Sequence, residues 1–509
     1  MELLYTTLVL VVVISLVIKV FEALIFKPER LRSKLRKQGI RGPQPAILFG
    51  NILEMKKARS QVKKPPQGQE IIDHNCSPLL FPSFEQWTKQ YGSTFMFSLG
   101  NIQYLQMNDS DLMKQITRCT SLDLGKPAHQ QKLFGPLLGQ GILSSNGAHW
   151  VHQRKILSPK FTFDSVKGMM KLMVESGTTL VNTWSSQIER EGGVSDIQVD
   201  DYMVGYSKEV ISRACFGRNY SKGDQIFLKL RGLEENMTKR ALYNGIPLLR
   251  YLPSKTNRET KKLEKEVRKL ILKAVQERKD EGTQNDDVLQ MILEASDVGQ
   301  EHDVERFVVD NFKTIYLAGY ETAAVSAAWT LMLLATNPEW QDKARAEVLE
   351  VTRGQSPIDP DMVRKMKTVN MIIHESLRLY PPSLIVTREA LENLKFGDIN
   401  VPKGVHVWIM IASLHQDPEI WGPDAHVFNP QRFANGVSGS CKQPHVFMPF
   451  GVGPRVCLGQ NFAMAELKIL MALLLANFSF SLSPNYRHSP IHKLVVKPEY
   501  GMKLLVKKL

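Results

Sequence analysis

Ten consecutive residues, Phe450-Gly-Val-Gly-Pro-Arg-Val-Cys-Leu-Gly459, constrain this chain more than any other stretch. They set an aromatic ring, three glycines, an arginine and a lone cysteine just ahead of a helix-forming run, Asn461 to Leu475. A loop made supple by Gly451, Gly453 and Gly459 can turn backbone N–H groups towards the sulfur of Cys457 and keep it as a thiolate. The following helix adds its positive N-terminal end. Such a loop suits a sulfur ligand to haem iron, and a thiolate there favours O–O bond cleavage over electron carriage. Arg455 is placed to reach a haem propionate, and Phe450 to shield the sulfur side of the ring. The competing reading is a glycine-rich loop around a buried structural cysteine. Five such residues at these spacings coincide at random on the order of once in several million positions, which sets that reading aside. A zinc site is excluded by spacing, because no CxxC or HxxxH pair lies near Cys457 and the nearest cysteine is Cys441.

Two further motifs precede the loop in order. Glu375-Ser-Leu-Arg378 places opposite charges at i and i+3 on one helix face, and Phe428-Asn-Pro-Gln-Arg-Phe433 follows with Arg432. Upstream, the apolar run Val304 to Ala335 is long enough for an interior helix, ends at Asn337-Pro338 and carries Ala318-Gly-Tyr-Glu-Thr-Ala323 at its centre. Gly319 costs about 1 kcal/mol against alanine in mid-helix, so something is expected to approach its backbone, the haem being the candidate. Thr322 can return its hydroxyl to the carbonyl of Ala318 and loosen the helix there.

With these motifs the chain resembles the cytochrome P450 superfamily. The resemblance implies a mainly α fold with a small β part, a buried Glu375, Arg378, Arg432 network, and haem b bound through Cys457. It also implies that Glu321 and Thr322 relay protons on the oxygen side of the haem. Ala323 departs from the family, which often has a second threonine or serine there. Trp150-Val-His-Gln-Arg154 matches a WxxxR pattern whose Trp150 and Arg154 face the propionates, and Arg388 occupies another propionate-binding place. No flavin or nicotinamide site is visible, so electrons are implied to come from NADPH through a separate flavoprotein reductase. A haem sensor would not need the Glu321–Thr322 pair, and a membrane scaffold without haem would need none of the motifs.

Leu3 to Ile18 carries no charge, and with Val20 to Phe26 it approaches the ~20 residues that span a bilayer. No basic leader precedes Leu3 and no small-residue cleavage site follows, so a retained anchor over residues 1–26 is expected rather than a cleaved signal. Lys27, Arg30, Arg32, Lys34, Arg36, Lys37 and Arg41 form a stop-transfer cluster in a basic, proline-containing hinge, residues 27–48. Residues 49–509 are then one catalytic domain. This arrangement predicts a single-pass protein of the endoplasmic reticulum membrane with its catalytic domain in the cytosol. Five scattered cysteines form no disulfide framework, in keeping with a reducing compartment. The net charge is +14. Part of that surplus lies outside the hinge and can steer an acidic redox partner. The densest internal charge run, Lys262 to Lys279, mixes signs at helical spacing and reads as an exposed helix, and nothing points to nucleic acid.

Finer resemblance concerns substrate. Asp310-Asn-Phe-Lys-Thr-Ile-Tyr-Leu-Ala-Gly-Tyr-Glu-Thr322, Gly139-Gln-Gly-Ile-Leu-Ser-Ser-Asn-Gly147 and Ser483-Pro-Asn-Tyr-Arg-His-Ser-Pro490 are similar to the plant branch that includes gibberellin-oxidising enzymes. That branch implies a polycyclic terpenoid substrate: a gibberellin-type diterpenoid acid first, then a pentacyclic, oleanane-type triterpenoid, with another small lipophilic plant metabolite as the remaining alternative. Pocket residues are expected from Lys126 to Gln140, 241–252, Ile315 to Thr322, Ser383 to Val386 and Val495 to Pro498, with Leu384 to Val386 as an apolar wall.

Overall fold

The computed structural model describes residues 2–62, 72–217, 222–241, 254–281, 287–298, 303–353 and 358–509. The expected pocket segment 242–252 therefore lies outside the described residues. The chain begins with a helix, Glu2–Phe21, that runs through one wider turn, Glu22–Phe26, into Lys27–Arg36. Its apolar face from Leu4 to Ile18 is exposed all round, which makes it a candidate membrane span. The basic stretch expected to be a hinge is helical as far as Arg36, and its last turns are fastened to the globule. Leu35 is fully buried, and the Arg32 guanidinium donates to Ser98 Oγ at 3.1 Å and Pro43 O at 3.3 Å. Deleting residues 1–26 spares both attachments. The truncated protein is expected to leave the membrane pellet in alkaline or high-salt washes while keeping its haem absorbance; loss of haem would show that anchor and domain are not separable.

The runs Phe95 to Tyr104 and Val405 to Ile411, rich in β-branched and aromatic residues, lie in one sheet. Thr94–Leu99 and Ile102–Met107 form a hairpin, and Ile102–Met107 pairs in parallel with His406–Met410, Tyr104 opposite His406. Ile385–Ala390 and Leu124–Gly125 complete this five-stranded sheet. Phe84, Trp87, Phe95, Phe97 and Tyr104 pack on it as an aromatic cluster. A three-stranded sheet, Val194–Gln198, Lys503–Lys508 and Phe478–Leu482, closes the other end of the domain.

The rest is helical. Val304–Thr336 runs through the centre, started by Asp303, whose carboxylate accepts from Arg306 N, and stopped before Pro338 as expected. At ~1.5 Å per residue it is about 50 Å long. It packs against Val199–Phe216 on one side and Gln460–Asn477 on another, which extends the helix-forming run after the cysteine by one or two residues at each end. The charged run Lys262 to Lys279 lies in the helix Lys255–Glu281, which is amphipathic: Val267, Ile271 and Ala274 are buried, and Arg278 pairs with Asp287 at 2.7 Å. The five cysteines are all free.

Candidate active site

The central helix carries the first half of the site. Between Phe307 and Leu334 every residue is buried except Ala318, Gly319 and Thr322. These lie one helical turn apart, so an otherwise enclosed helix opens a single window. Thr322 Oγ1 donates to Ala318 O at 2.8 Å, as expected, and Thr314, Ser326 and Thr330 make the same return four residues back. This ladder of side-chain bonds competes with the backbone and eases the helix at the window. Gly319 does meet a close neighbour. A Cβ there would stand 2.6 Å from Ile211 Cδ1, so the missing side chain lets the neighbouring helix Val199–Phe216 pack closely.

Glu321 is also placed differently from expectation. It is buried, and its carboxylate is ion-paired with Lys497 rather than turned to Thr322. Lys497 stands 4.0 Å from Glu234 as well, and Tyr320 donates to Glu234 at 3.3 Å. Burial first, then the nearby Glu321 charge, holds the Glu234 carboxyl above the usual range, with Lys497 opposing. Two carboxylates thus share one ammonium. Lys497 is held over them by its strand, since Trp329 Nε1 on the central helix donates to Val496 O at 3.1 Å. Neither Lys497 nor Glu234 stands out in the sequence, because their meeting depends on tertiary packing alone.

The second half of the site is the loop around Cys457. Cys457 N donates to Phe450 O at 2.7 Å, closing the loop, and Gly453 takes φ +67° where a Cβ would strike Thr117 O at 2.6 Å. Cys457 itself is exposed, while Phe450 leans on the main core. One side of the residue is open, yet the protein packed around it strips water from the sulfur and on balance raises the thiol, against the pull of the Gly459 N–H and the Arg154 charge. Arg154, expected at the propionates, also meets the loop. Its guanidinium donates to Val456 O at 2.8 Å and so braces the cysteine loop. The carbonyl next to the sulfur has no helical partner, and a donor one turn after Trp150 reaches it.

Beneath this loop the Glu375, Arg378, Arg432 network is assembled as the motifs imply. Arg378 makes a two-pronged pair with Glu375 at 2.7 Å in each bond, and also donates to the carbonyls of His415 and Ala425 at 2.8 and 2.6 Å. Arg432 Nε lies 3.5 Å from Glu375, and Asn429 N donates to the same carboxylate at 2.9 Å. The helix Lys367–Leu379 is thereby tied to the stretch that leads into the cysteine loop.

Between the two halves stand cations without carboxylate partners. Arg455 lies over the Trp150 ring at 4.3 Å and donates to Ser145 O and Asn146 Oδ1, both at 3.0 Å. Arg388 donates to Thr387 O at 3.0 Å. Burial lowers Arg388 to about 10, and burial with the Arg388 charge lowers Arg455 to about 10. Lys126 is held well below the ordinary lysine range by burial and by those two arginines. Among the described residues none of the three has an acidic partner within 4.0 Å. Buried like charges demand an anion. A dianionic porphyrin edge at Lys126, Arg388 and Arg455, a sulfur at Cys457 and an open window at Ala318 and Thr322 fit haem on both faces and at its rim. Lys126 was expected only as a pocket residue; nothing local in Leu124-Gly-Lys-Pro127 distinguishes it from a surface lysine.

Comparison with known proteins agrees with this chemistry. The family model described as Cytochrome P450 matches residues 74–506. The chain is 46% identical over 498 residues to Cytochrome P450 714C2 of Oryza sativa subsp. japonica, covering 96% of this chain and 95% of that one. It is 43% identical to Cytochrome P450 714A2 of Arabidopsis thaliana, covering 98% and 97%, and 43% identical to Cytochrome P450 714B3 of Zea mays, covering 97% and 94%. With a thiolate loop, an opened central helix and a cationic rim in place, and relatives matched along their whole length, the chain belongs to the cytochrome P450 family, among its plant 714 members.

Proposed function

We propose that this monooxygenase inserts oxygen at an aliphatic carbon of a polycyclic terpenoid, a gibberellin-type diterpenoid acid in the first place. The observation that carries the reading is the set of three sequence phrases shared with the gibberellin-oxidising branch. Two of them, around Gly139 and around Asp310, meet in space, Gln140 N donating to Asp310 and Ile142 N to Asn311. Ile385 and Val386 supply half-buried apolar surface near Arg388, which suits a rigid fused-ring skeleton; Leu384 belongs to the core behind them.

Haem b, when bound, supplies oxygen activation with electrons from a separate NADPH-dependent reductase. The chain's own residues hold and protect it. Lys126, Arg388 and Arg455 would neutralise its propionates, Trp150 backs Arg455, and Gly459 N–H with Arg154 opposes the desolvation that raises the Cys457 thiol. On the other face Thr322 offers a hydroxyl at the window and Glu321 a carboxylate that must leave Lys497 before it can pass a proton. Thr322→Ala is expected to raise the share of NADPH ending as hydrogen peroxide several-fold, with a matching fall in product. Equal product per NADPH in variant and parent would remove the relay.

The setting is the endoplasmic reticulum membrane, with the helix Glu2–Phe21 as anchor and the domain on the cytosolic side, by the positive charges that follow the helix. Membranes containing the protein and a reductase, fed gibberellin-type acids and oleanane-type triterpenoids in parallel, test the substrate. Oxidised diterpenoid identified by mass and NMR supports the proposal. Turnover of the triterpenoid alone, or of a fatty acid or phenylpropanoid alone, refutes it.

A further inference from the structure

The helix Ala128–Leu138 and the loop after it are held at both ends by unusual means. At the haem-rim end Asn146 bonds both N and O of Lys126, at 2.7 and 2.8 Å, and Glu389 accepts from Ala128 N at 2.7 Å. At the other end four side chains of the central helix take hold. Asp310 accepts from Gln140 N and Asn311 from Ile142 N, both at 2.9 Å. Lys313 reaches Pro136 O at 3.5 Å and Thr314 reaches Leu138 O at 3.4 Å. The last carbonyls of any helix lack intrahelical donors, and a cation is favoured there. The central helix thus caps its neighbour.

The contact admits no slack. Gly139, at φ +56°, would bring a Cβ to 2.0 Å from the Asp310 carboxyl, and Gly141 to 2.6 Å from Asp310 O. Asp310 and Lys313 pair at 3.0 Å with side chains only 10% and 4% exposed, and Arg306 lies 3.8 Å from the same carboxylate. A buried ion pair adds little stability over apolar packing, and its best-attested use is to fix register. Thr314 is one turn, ~6 Å, from Ala318 at the window. A change in the seating of the segment therefore shifts a wall of the site relative to the point where oxygen is delivered.

We propose that Asp310, with Lys313, is a positioning residue that seats residues 128–142 as the substrate wall and so selects which carbon of the substrate is presented. The inference rests on the monooxygenase site but not on the identity of the terpenoid. In the haem-loaded enzyme, Asp310→Ala is expected to speed amide hydrogen exchange across 128–142 at least tenfold, leaving 367–379 and 460–477 unchanged. Titration with two nitrogen ligands, imidazole and the bulkier 1-benzylimidazole, is expected to change their affinity ratio at least fivefold, with the carbon monoxide spectrum preserved. Asp310→Asn keeps an acceptor for Gln140 and is expected to restore part of both effects; it also serves as the test variant should the alanine form not load haem. Unchanged exchange over 128–142 overturns the proposal, as does altered exchange with an unchanged affinity ratio, which would leave Asp310 a purely structural residue. Failure of every terpenoid to be oxidised would refute the substrate reading while these two measurements still decide this one.

Discussion

Replacing Arg378 with alanine is expected to yield little or no haem-loaded protein. The arginine is fully enclosed, so its removal takes the two-pronged partner from the Glu375 carboxylate and leaves the carbonyls of His415 and Ala425 without their donor. Breaking a buried ion pair from one side costs about 3–5 kcal/mol. That is a large part of the ~5–15 kcal/mol that holds a typical domain folded. The damage falls on the approach to the cysteine loop, so haem content should drop with stability. The ratio of haem to protein absorbance and a thermal unfolding curve measure both. Full haem loading at the parental midpoint would mean that the network is dispensable.

Cys457→Ser is expected to abolish the thiolate-type spectrum of the reduced, carbon monoxide-treated protein and reduce turnover to background. A hydroxyl at this position receives the same help from Gly459 N–H and Arg154, but starts from a far higher pKa and cannot supply the soft, electron-rich ligand. The rim cations and the window at Thr322 are untouched by the change, so any haem retained should be held by shape and charge alone. Unchanged hydroxylation would mean that the ligand lies elsewhere.

What could be read from the chain was whatever depends on neighbours in sequence. The cysteine loop, Glu375 and Arg378, and the Ala318–Thr322 return bond each occupy a few residues, where spacing dictates geometry. The parallel pairing of Ile102–Met107 with His406–Met410 joins segments about 300 residues apart, and no local pattern announces it. Residues that act through distant partners escaped. Lys126 joins a cationic cluster only because two arginines from other segments arrive beside it, and Lys497 becomes the partner of Glu321 only because Trp329 anchors its strand. Gly319 and Arg154 also meet partners that no local pattern announces, Ile211 and Val456 O. The basic stretch starts as a helix, Lys27–Arg36, because its one proline, Pro28, falls in the first turn, where a proline is well tolerated.

The continuity of the first helix into the bolted turn at Arg32 and Leu35 bears on how the enzyme meets a membrane. A flexible linker would let the catalytic body tumble on a tether, sampling the bilayer with any face. A helix clamped at its base behaves as a mast, so rotating the body requires tilting the whole span against the lipid around it. The openings through which a lipophilic molecule enters then keep a set height and heading over the bilayer, and a redox partner confined to the same plane searches two dimensions for a docking face that does not turn away.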